Sequence, residues 1–145
     1  MTELDDLSTF NAMTPALLYD MATLLSSIFA FKAVRALVLQ AAGPHFCTGG
    51  RYDKRAVRSP LWWLKARGIY SFGYNLDRFR STSVLSISLL HGSSIGGGLV
   101  LGLAADHRVV TQDAVFRLGV VTYGLSPIVM ATRALPALFG SRFST

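Results

Sequence analysis

The chain has 145 residues, of which 51% are hydrophobic, and a formal net charge of +6. This length fits one domain, residues 1–145, with a core of its own. A single cysteine excludes an internal disulfide framework and a cysteine-based zinc site, so we expect no metal. No apolar run reaches the ~20 residues of a membrane span, and the acidic N-terminus does not resemble a signal peptide. We therefore expect a soluble, cytoplasmic protein.

Helices and strands alternate along the chain. The pair Thr14-Pro15 predicts a helix start, because Thr caps helices and Pro favours their first turn, and leucines recur at helical spacing after it. Further helices are predicted over residues 61–79, 99–105 and 127–139, and strands over residues 34–40, 84–89 and 108–111. Gly140 is the expected cap of the last helix. This alternation predicts an α/β fold with a parallel sheet.

Two glycine-rich turns follow the first two predicted strands. Their sequences are Gly43-Pro-His-Phe-Cys-Thr-Gly-Gly50 and His91-Gly-Ser-Ser-Ile-Gly-Gly-Gly98. The second turn lies between a strand and a helix start, where backbone N–H groups have no partner within the helix and lie at its positive end. Glycine lacks the side chain that would keep a ligand away from this backbone. Each turn could therefore donate one N–H group to a single phosphate or oxyanion oxygen.

These motifs resemble those of the crotonase superfamily, the enoyl-CoA hydratase/isomerase fold. The resemblance begins at Asn11-Ala-Met-Thr, includes Phe46-Cys-Thr-Gly-Gly and the second glycine turn, and continues through Asp106 to Gly124-Leu-Ser-Pro127. It implies an α/β, crotonase-like core of repeated ββα units, truncated because the C-terminal helical region of the family is missing. For a complete chain it also implies a homo-oligomer of the trimer type.

The resemblance also implies the site residues. By this likeness the N–H groups of Gly50 and Gly97 form an oxyanion hole for an acyl thioester. The substrate-binding positions that it implies are Phe46, Gly49, His91, Gly96, Gly98, Val100 and Val120. No cofactor is expected, since the substrate itself is carried on coenzyme A or phosphopantetheine.

The two glutamates with which family hydratases add water have no counterpart in this chain. Their positions correspond to Val100 and to Val120 or a residue near it, and the chain's single glutamate, Glu3, lies in an N-terminus that we expect to be flexible. Valine neither takes nor gives a proton, so ordinary hydration is not expected. One branch of this superfamily decarboxylates glutaconyl-type thioesters in polyketide biosynthesis. Its members keep the oxyanion hole but lack both glutamates. Decarboxylation is therefore the leading prediction.

A basic segment separates the two glycine turns. Residues 51–80 contain eight basic and two acidic residues, so their charge equals that of the whole chain. Tyr52, Lys54 and Lys65 are the candidates for holding a substrate carboxylate or delivering a proton. We expect acyl-CoA or an acyl carrier protein as the partner, because phosphates or an acidic surface would complement this charge. Nucleic acid is disfavoured because no nucleic-acid motif accompanies the basic residues, and no membrane partner is expected.

Two other functions stay open. An isomerase would shift a double bond with one of the remaining aspartates as base, and a non-catalytic relative would only bind thioesters or partners. Cys47 is interpreted as a buried thiol rather than a nucleophile, because no histidine with an acidic partner is near it in sequence. His91 and Asp106 are expected to make structural hydrogen bonds rather than to transfer protons.

Overall fold

The structure, a computed structural model, describes residues 1–31, 33–50, 73–74, 76–77, 83–119, 135–138 and 140. A 3-10 turn at Leu7–Thr9 precedes two helices, α1 (Pro15–Ala30) and α2 (Gly97–Ala104). The strands are β1 (Thr2–Leu4), β2 (Ala36–Ala41), β3 (Leu85–Leu90), β4 (Ser93–Ile95), β5 (His107–Val110) and β6 (Val115–Arg117). Residues 73–74, 76–77 and 135–138 are also helical, and the rest of the predicted helices over 61–79 and 127–139 lies outside the described residues.

The sheet confirms the α/β fold with parallel strands. Four parallel strands in the order β1-β2-β3-β5 form the main sheet, and β4 pairs with β6 in a second parallel sheet. One hydrophobic core joins α1, the main sheet and α2, with Leu25, Leu37 and Leu101 among its most buried members. Among the described residues, no helix has the length and apolar character needed to cross a bilayer.

Helix α1 begins as its sequence predicts. Thr14 caps the helix, because its Oγ1 accepts a hydrogen bond from the Leu17 N–H at 3.2 Å, and Pro15 occupies the first helical position. The residues that face the core are Leu18, Met21, Ala22 and Leu25, which follow helical spacing. At the other end of the described chain, Gly140 has a φ of 78° and donates to the Pro136 carbonyl, as expected of a helix cap.

The structure corrects three local predictions. The N-terminus is not flexible, because β1 pairs with β2 and the Gln40 Nε2 donates to Glu3 Oε1 at 2.8 Å. Helix α2 begins at Gly97 rather than at residue 99, since close packing against neighbouring backbone outweighs the poor helix propensity of glycine. The second glycine turn also contains β4, which pairs with β6 far along the chain, so no local pattern could reveal it.

Asn11 connects the N-terminal segment to the end of β2. The residue has a left-handed φ of 57°, a conformation that Asn adopts more readily than most residues, and is 1% exposed. Its Oδ1 accepts from the Asp6 N–H at 2.8 Å, and its Nδ2 donates to the carbonyls of Ala42 and His45 at 2.8 and 3.0 Å. One side chain therefore satisfies backbone groups of two segments that are distant in sequence.

Replacing Asn11 by Ala should lower the free energy of unfolding by about 2–3 kcal/mol, because three partners lose their hydrogen bonds. Chemical denaturation measures this difference. Ser8→Ala is the control, since it removes an exposed hydrogen bond to Asp6 and should change stability by less than about 0.5 kcal/mol. Equal effects of the two substitutions would contradict the role assigned to Asn11.

Two fully buried serines should respond to substitution with opposite signs. The Ser88 Oγ donates to the Gly102 carbonyl at 2.8 Å, whereas the Ser94 Oγ has no hydrogen-bond partner within the described structure. Ser88→Ala should cost about 1 kcal/mol of stability, and Ser94→Ala should add up to about 1 kcal/mol because an unsatisfied hydroxyl leaves the core. Thermal and denaturant unfolding of both variants checks the signs. A loss of stability in Ser94→Ala would show that its hydroxyl is satisfied in solution.

Candidate active site between two glycine loops

The two glycine-rich turns meet at one edge of the main sheet. We call residues 43–50 the first glycine loop and residues 91–98 the second glycine loop. The first loop follows β2 and the second follows β3. These two strands are neighbours in the sheet and pair in parallel, with Ala36 opposite Leu85. The carboxyl ends of parallel strands lie at the same edge, which is where open α/β sheets bind ligands. The sheet topology thus places both loops side by side.

Backbone hydrogen bonds join the loops directly. The Phe46 N–H donates to the His91 carbonyl at 3.0 Å, and the Cys47 N–H donates to the Ser93 carbonyl at 3.2 Å. The Ile95 N–H donates back to the Cys47 carbonyl at 3.0 Å, and Cys47 and Ser94 form a parallel bridge. The loops therefore behave as one continuation of the sheet and not as two independent turns.

Two glycines permit this close approach. Gly49 has a φ of 88°, and a Cβ added there would stand 2.5 Å from the Ile95 carbonyl oxygen. A Cβ added at Gly98 would stand 2.7 Å from the Cys47 Sγ. Both distances are shorter than real carbon contacts, so only glycine fits at either position.

Gly97 carries an N–H group that the helix does not use. It is the first residue of α2, and the first bond within the helix runs from the Val100 N–H to the Gly96 carbonyl at 3.1 Å. Among the backbone hydrogen bonds of the described residues, none has the Gly97 N–H as donor. This N–H lies at the positive end of α2, where a developing negative charge is stabilised.

The first glycine loop ends at Gly50, whose N–H is not a donor in any backbone hydrogen bond of the described residues. The residue is exposed, and among the described atoms none lies within 4 Å of the point where its Cβ would stand. It forms a parallel bridge with Met13, whose N–H donates to the Gly49 carbonyl at 2.8 Å. The Met13 Sδ in turn lies 2.7 Å from the position of a Cβ on Gly97. Met13 therefore contacts both loops at the two residues that the resemblance assigned as N–H donors.

The histidines of the site make structural hydrogen bonds. The His91 Nε2 donates to the Gly43 carbonyl at 2.9 Å, and the His45 Nδ1 accepts from the Ser93 N–H at 3.3 Å. The His45 ring also meets Phe10 edge to face, with ring centroids 5.4 Å apart. Both side chains thus connect one glycine loop to the other, which agrees with the structural role expected for His91.

Cys47 is buried and protonated. Burial raises the pKa of its thiol to about 11, and a hydrogen bond with the Gly49 backbone only partly opposes this rise. The side chain is 0% exposed and packs against Gly98 beneath the loops. A neutral, enclosed thiol is not a nucleophile, so the interpretation as a packing residue is confirmed.

Asp106 connects the start of β5 to β3. Its Oδ2 accepts from the Ser86 N–H at 2.9 Å and from the Ser86 Oγ at 2.7 Å, while its own N–H donates to the Ser86 Oγ at 3.0 Å. This reciprocal pairing is structural, as predicted.

The remaining predicted site residues divide into two groups. Phe46 is a fully buried residue of the first glycine loop, Val100 is buried in α2, and the Gly96 N–H donates to the Arg117 carbonyl at 2.8 Å. Tyr52, Lys54, Lys65 and Val120 lie outside the described residues. Across the part of the chain that is described, no group of three or more His, Cys, Asp and Glu side chains could hold a metal.

A shallow depression of about 280 Å³ lies elsewhere, on the outer face of α1. Its lining residues are Tyr19, Ala22, Thr23, Ser26 and Ser27. None of them belongs to a glycine loop, so this depression is separate from the candidate site.

Sequence reasoning missed Met13 and the connecting role of Asn11. The signal for Asn11 was its residue type, because Asn is enriched in left-handed conformations. No sequence signal could have placed the Met13 side chain at Gly97, since this contact joins residues that are distant in sequence.

Comparisons with known proteins agree with this geometry. The chain is 48% identical over 111 residues to the fatty acid oxidation complex subunit alpha of Vibrio cholerae, covering 74% of this chain and 15% of that protein. It is 28% identical over 134 residues to the ethylmalonyl-CoA decarboxylase of Danio rerio, covering 91% and 43%. The chain thus spans less than half the length of these relatives.

A solved structure shares the fold. The protein, assigned as an enoyl-CoA hydratase from Thermobifida fusca YX in complex with acetoacetyl-CoA, superimposes with a TM-score of 0.83 at 25% sequence identity. The match covers 98% of this chain and 58% of that one. A family model for enoyl-CoA hydratase/isomerase matches residues 1–145, the whole length of the sequence. Together with the paired glycine loops, this match shows that the chain belongs to the enoyl-CoA hydratase/isomerase family, the crotonase superfamily.

Proposed function

We propose that the chain processes acyl thioesters through an enolate whose oxygen is held between the N–H groups of Gly50 and Gly97. One observation carries the proposal: the two loops are joined by backbone hydrogen bonds, and each presents a glycine whose N–H is free of backbone acceptors among the described residues. In oxyanion holes, removing one such donor costs about 3–4 kcal/mol of transition-state stabilisation. Two fixed donors would therefore account for a large part of a catalytic barrier.

The donors suit a carbonyl oxygen that gains negative charge during reaction. Both are neutral backbone groups held by the sheet and by α2, so they need no rearrangement when the charge appears. Family structures give the substrate class, since the Thermobifida fusca protein was solved with acetoacetyl-CoA. We infer that the acyl chain is carried on coenzyme A or on the phosphopantetheine of a carrier protein.

Decarboxylation is the reaction that we propose, with a glutaconyl-type thioester of polyketide biosynthesis as the most specific substrate class. The bond between the carboxylate carbon and the acyl chain breaks, and its electron pair passes into the acyl chain and onto the thioester oxygen. Carbon dioxide leaves, and a proton adds to the carbon of the resulting enolate. Similarity to the Danio rerio ethylmalonyl-CoA decarboxylase supports this class of reaction.

A residue of α2 gives a second support for decarboxylation over hydration. The family position of one hydratase glutamate is Val100, which is buried and apolar in this chain. A carboxylate pair that adds water is therefore not proposed. Tyr52, Lys54 and Lys65 remain our candidates for holding the substrate carboxylate and for returning the proton.

Two alternatives would leave different signatures. An isomerase would need a carboxylate base from Asp53, Asp77, Asp106 or Asp113. Asp106 is already bonded to Ser86, and Asp53 lies outside the described residues, so Asp77 and Asp113 are the described candidates for this base. A non-catalytic relative would bind thioesters without changing them. Mass spectrometry identifies decarboxylation by the lost mass of carbon dioxide. Isomerisation leaves the mass unchanged, so chromatographic separation of the isomers distinguishes it from binding alone.

The test is turnover of 3-methylglutaconyl and ethylmalonyl thioesters, each on coenzyme A and on a carrier protein, by the parent chain and two Gly97 variants. The parent should release carbon dioxide. Gly97→Pro removes the donor N–H at a position where helices accept proline, and it should lower kcat about 10²–10³-fold with thioester affinity largely intact.

Gly97→Ala is the matched control, because it adds the same Cβ against the Met13 Sδ but keeps the N–H. It should retain far more activity than Gly97→Pro. Equal losses in both variants would assign the effect to crowding instead of the lost donor. No turnover by the parent with any of the four thioesters, despite measurable binding, would contradict the enzymatic proposal and favour the non-catalytic relative.

A further inference from the structure

Met13 contacts both glycine loops with different parts of the residue. Its backbone N–H donates to the Gly49 carbonyl at 2.8 Å, and the residue forms a parallel bridge with Gly50. Its Sδ and Cε lie 2.7 and 3.5 Å from the position of a Cβ on Gly97. The backbone thus holds the first loop while the side chain packs against the start of α2.

Around Gly97, the start of α2 makes mostly backbone contacts, among them the hydrogen bond from the Gly96 N–H to the Arg117 carbonyl at 2.8 Å. Residues 96–98 are glycines, which have no side chains with which to pack. Gly98 is held by Cys47 beneath it, whereas Gly97 has the Met13 thioether as its near neighbour. Met13 is 8% exposed and belongs to the main hydrophobic core, so its side chain is itself held in place.

The two donor positions differ in how closely a side chain packs against them. Among the described atoms, nothing lies within 4 Å of the Cβ position on Gly50. The Cβ position on Gly97, in contrast, has the Met13 Sδ at 2.7 Å. An unbranched thioether adapts to irregular gaps and supplies dispersion contacts across its length. Met13 therefore has a side chain whose length bears on the position of Gly97.

Resting on the proposed function, we propose that Met13 is a positioning residue that sets the separation of the Gly50 and Gly97 N–H donors. Misplacement of reacting groups by about 1 Å can cost about 10²-fold in rate. A side chain that never touches the substrate would then influence kcat through the geometry of the oxyanion hole.

The test compares Met13→Ala, Met13→Val and Met13→Leu with Met21→Ala. Met21 is a buried methionine of α1 in the same hydrophobic core, and it makes none of the loop contacts described for Met13. Met13→Ala and Met13→Val both remove the atoms that reach Gly97, and Val retains more apolar surface if the alanine variant fails to fold. Leucine keeps most of the volume and length of the side chain.

The first readout is a split between kcat and KM. Met13→Ala and Met13→Val should lower kcat by about 10- to 100-fold with KM within about three-fold of the parent. Met13→Leu should stay within about three-fold of the parent in kcat. Met21→Ala should lower the melting temperature as Met13→Ala does but leave kcat unchanged. Equal kcat losses in Met13→Ala and Met21→Ala would overturn the proposal, since the effect would then be one of stability.

The second readout needs no turnover. The carbonyl stretching frequency of a bound acyl-CoA with a ¹³C label at the thioester carbon falls when two N–H groups polarise the carbonyl. Met13→Ala and Met13→Val should move this band back toward its value in free acyl-CoA, and Met13→Leu should not. An unmoved band in all Met13 variants would overturn the positioning role alone. If the parent itself bound acyl-CoA without any shift of this band, the result would contradict the proposed oxyanion hole. The proposed role of Met13, which rests on that oxyanion hole, would then be contradicted as well.

Discussion

The backbone hydrogen bonds between the two glycine loops are the interaction on which the site depends. Parallel pairing of β2 and β3 brings two strand ends to the same edge, and the bonds that involve Phe46, Cys47 and Ile95 continue this pairing beyond the strands. Without them each loop would be an isolated turn with an unpartnered backbone. With them, two glycine loops from distant parts of the sequence are joined side by side, as the proposed pair of N–H donors requires.

Asn11, His45 and His91 support this arrangement from one side, and α2 supports it from the other. The three polar side chains bond backbone groups of the first loop and its neighbours, while Gly98 lets α2 approach Cys47 closely. Such a rigid arrangement is what the proposed oxyanion hole needs, since fixed donors stabilise a developing charge without rearrangement.

Much of the fold could be predicted from the sequence because its signals are local. Thr14-Pro15 marks the start of α1, apolar runs mark β2 and β3, and the glycine motifs mark both loops. The resemblance of those motifs to a known family assigns the two donor positions, and this assignment stays a prediction. What could not be predicted depends on distant partners: β1 is ordered by β2, β4 by β6, and the Met13 side chain by Gly97. The ends of several strands and helices differ from the predicted ends by a residue or two, because packing rather than intrinsic propensity decides where an element ends.

The central claim is that one thioester oxygen binds between the N–H groups of Gly50 and Gly97. The most direct measurement is a titration of the ¹⁵N-labelled chain with acetoacetyl-CoA, followed by the amide signals of its glycines in two-dimensional NMR. The account predicts that the amide protons of Gly50 and Gly97 move downfield together with one affinity, while Gly43 and Gly140 stay in place. Binding that leaves the signals of Gly50 and Gly97 unchanged, or that moves only one of them, would contradict it.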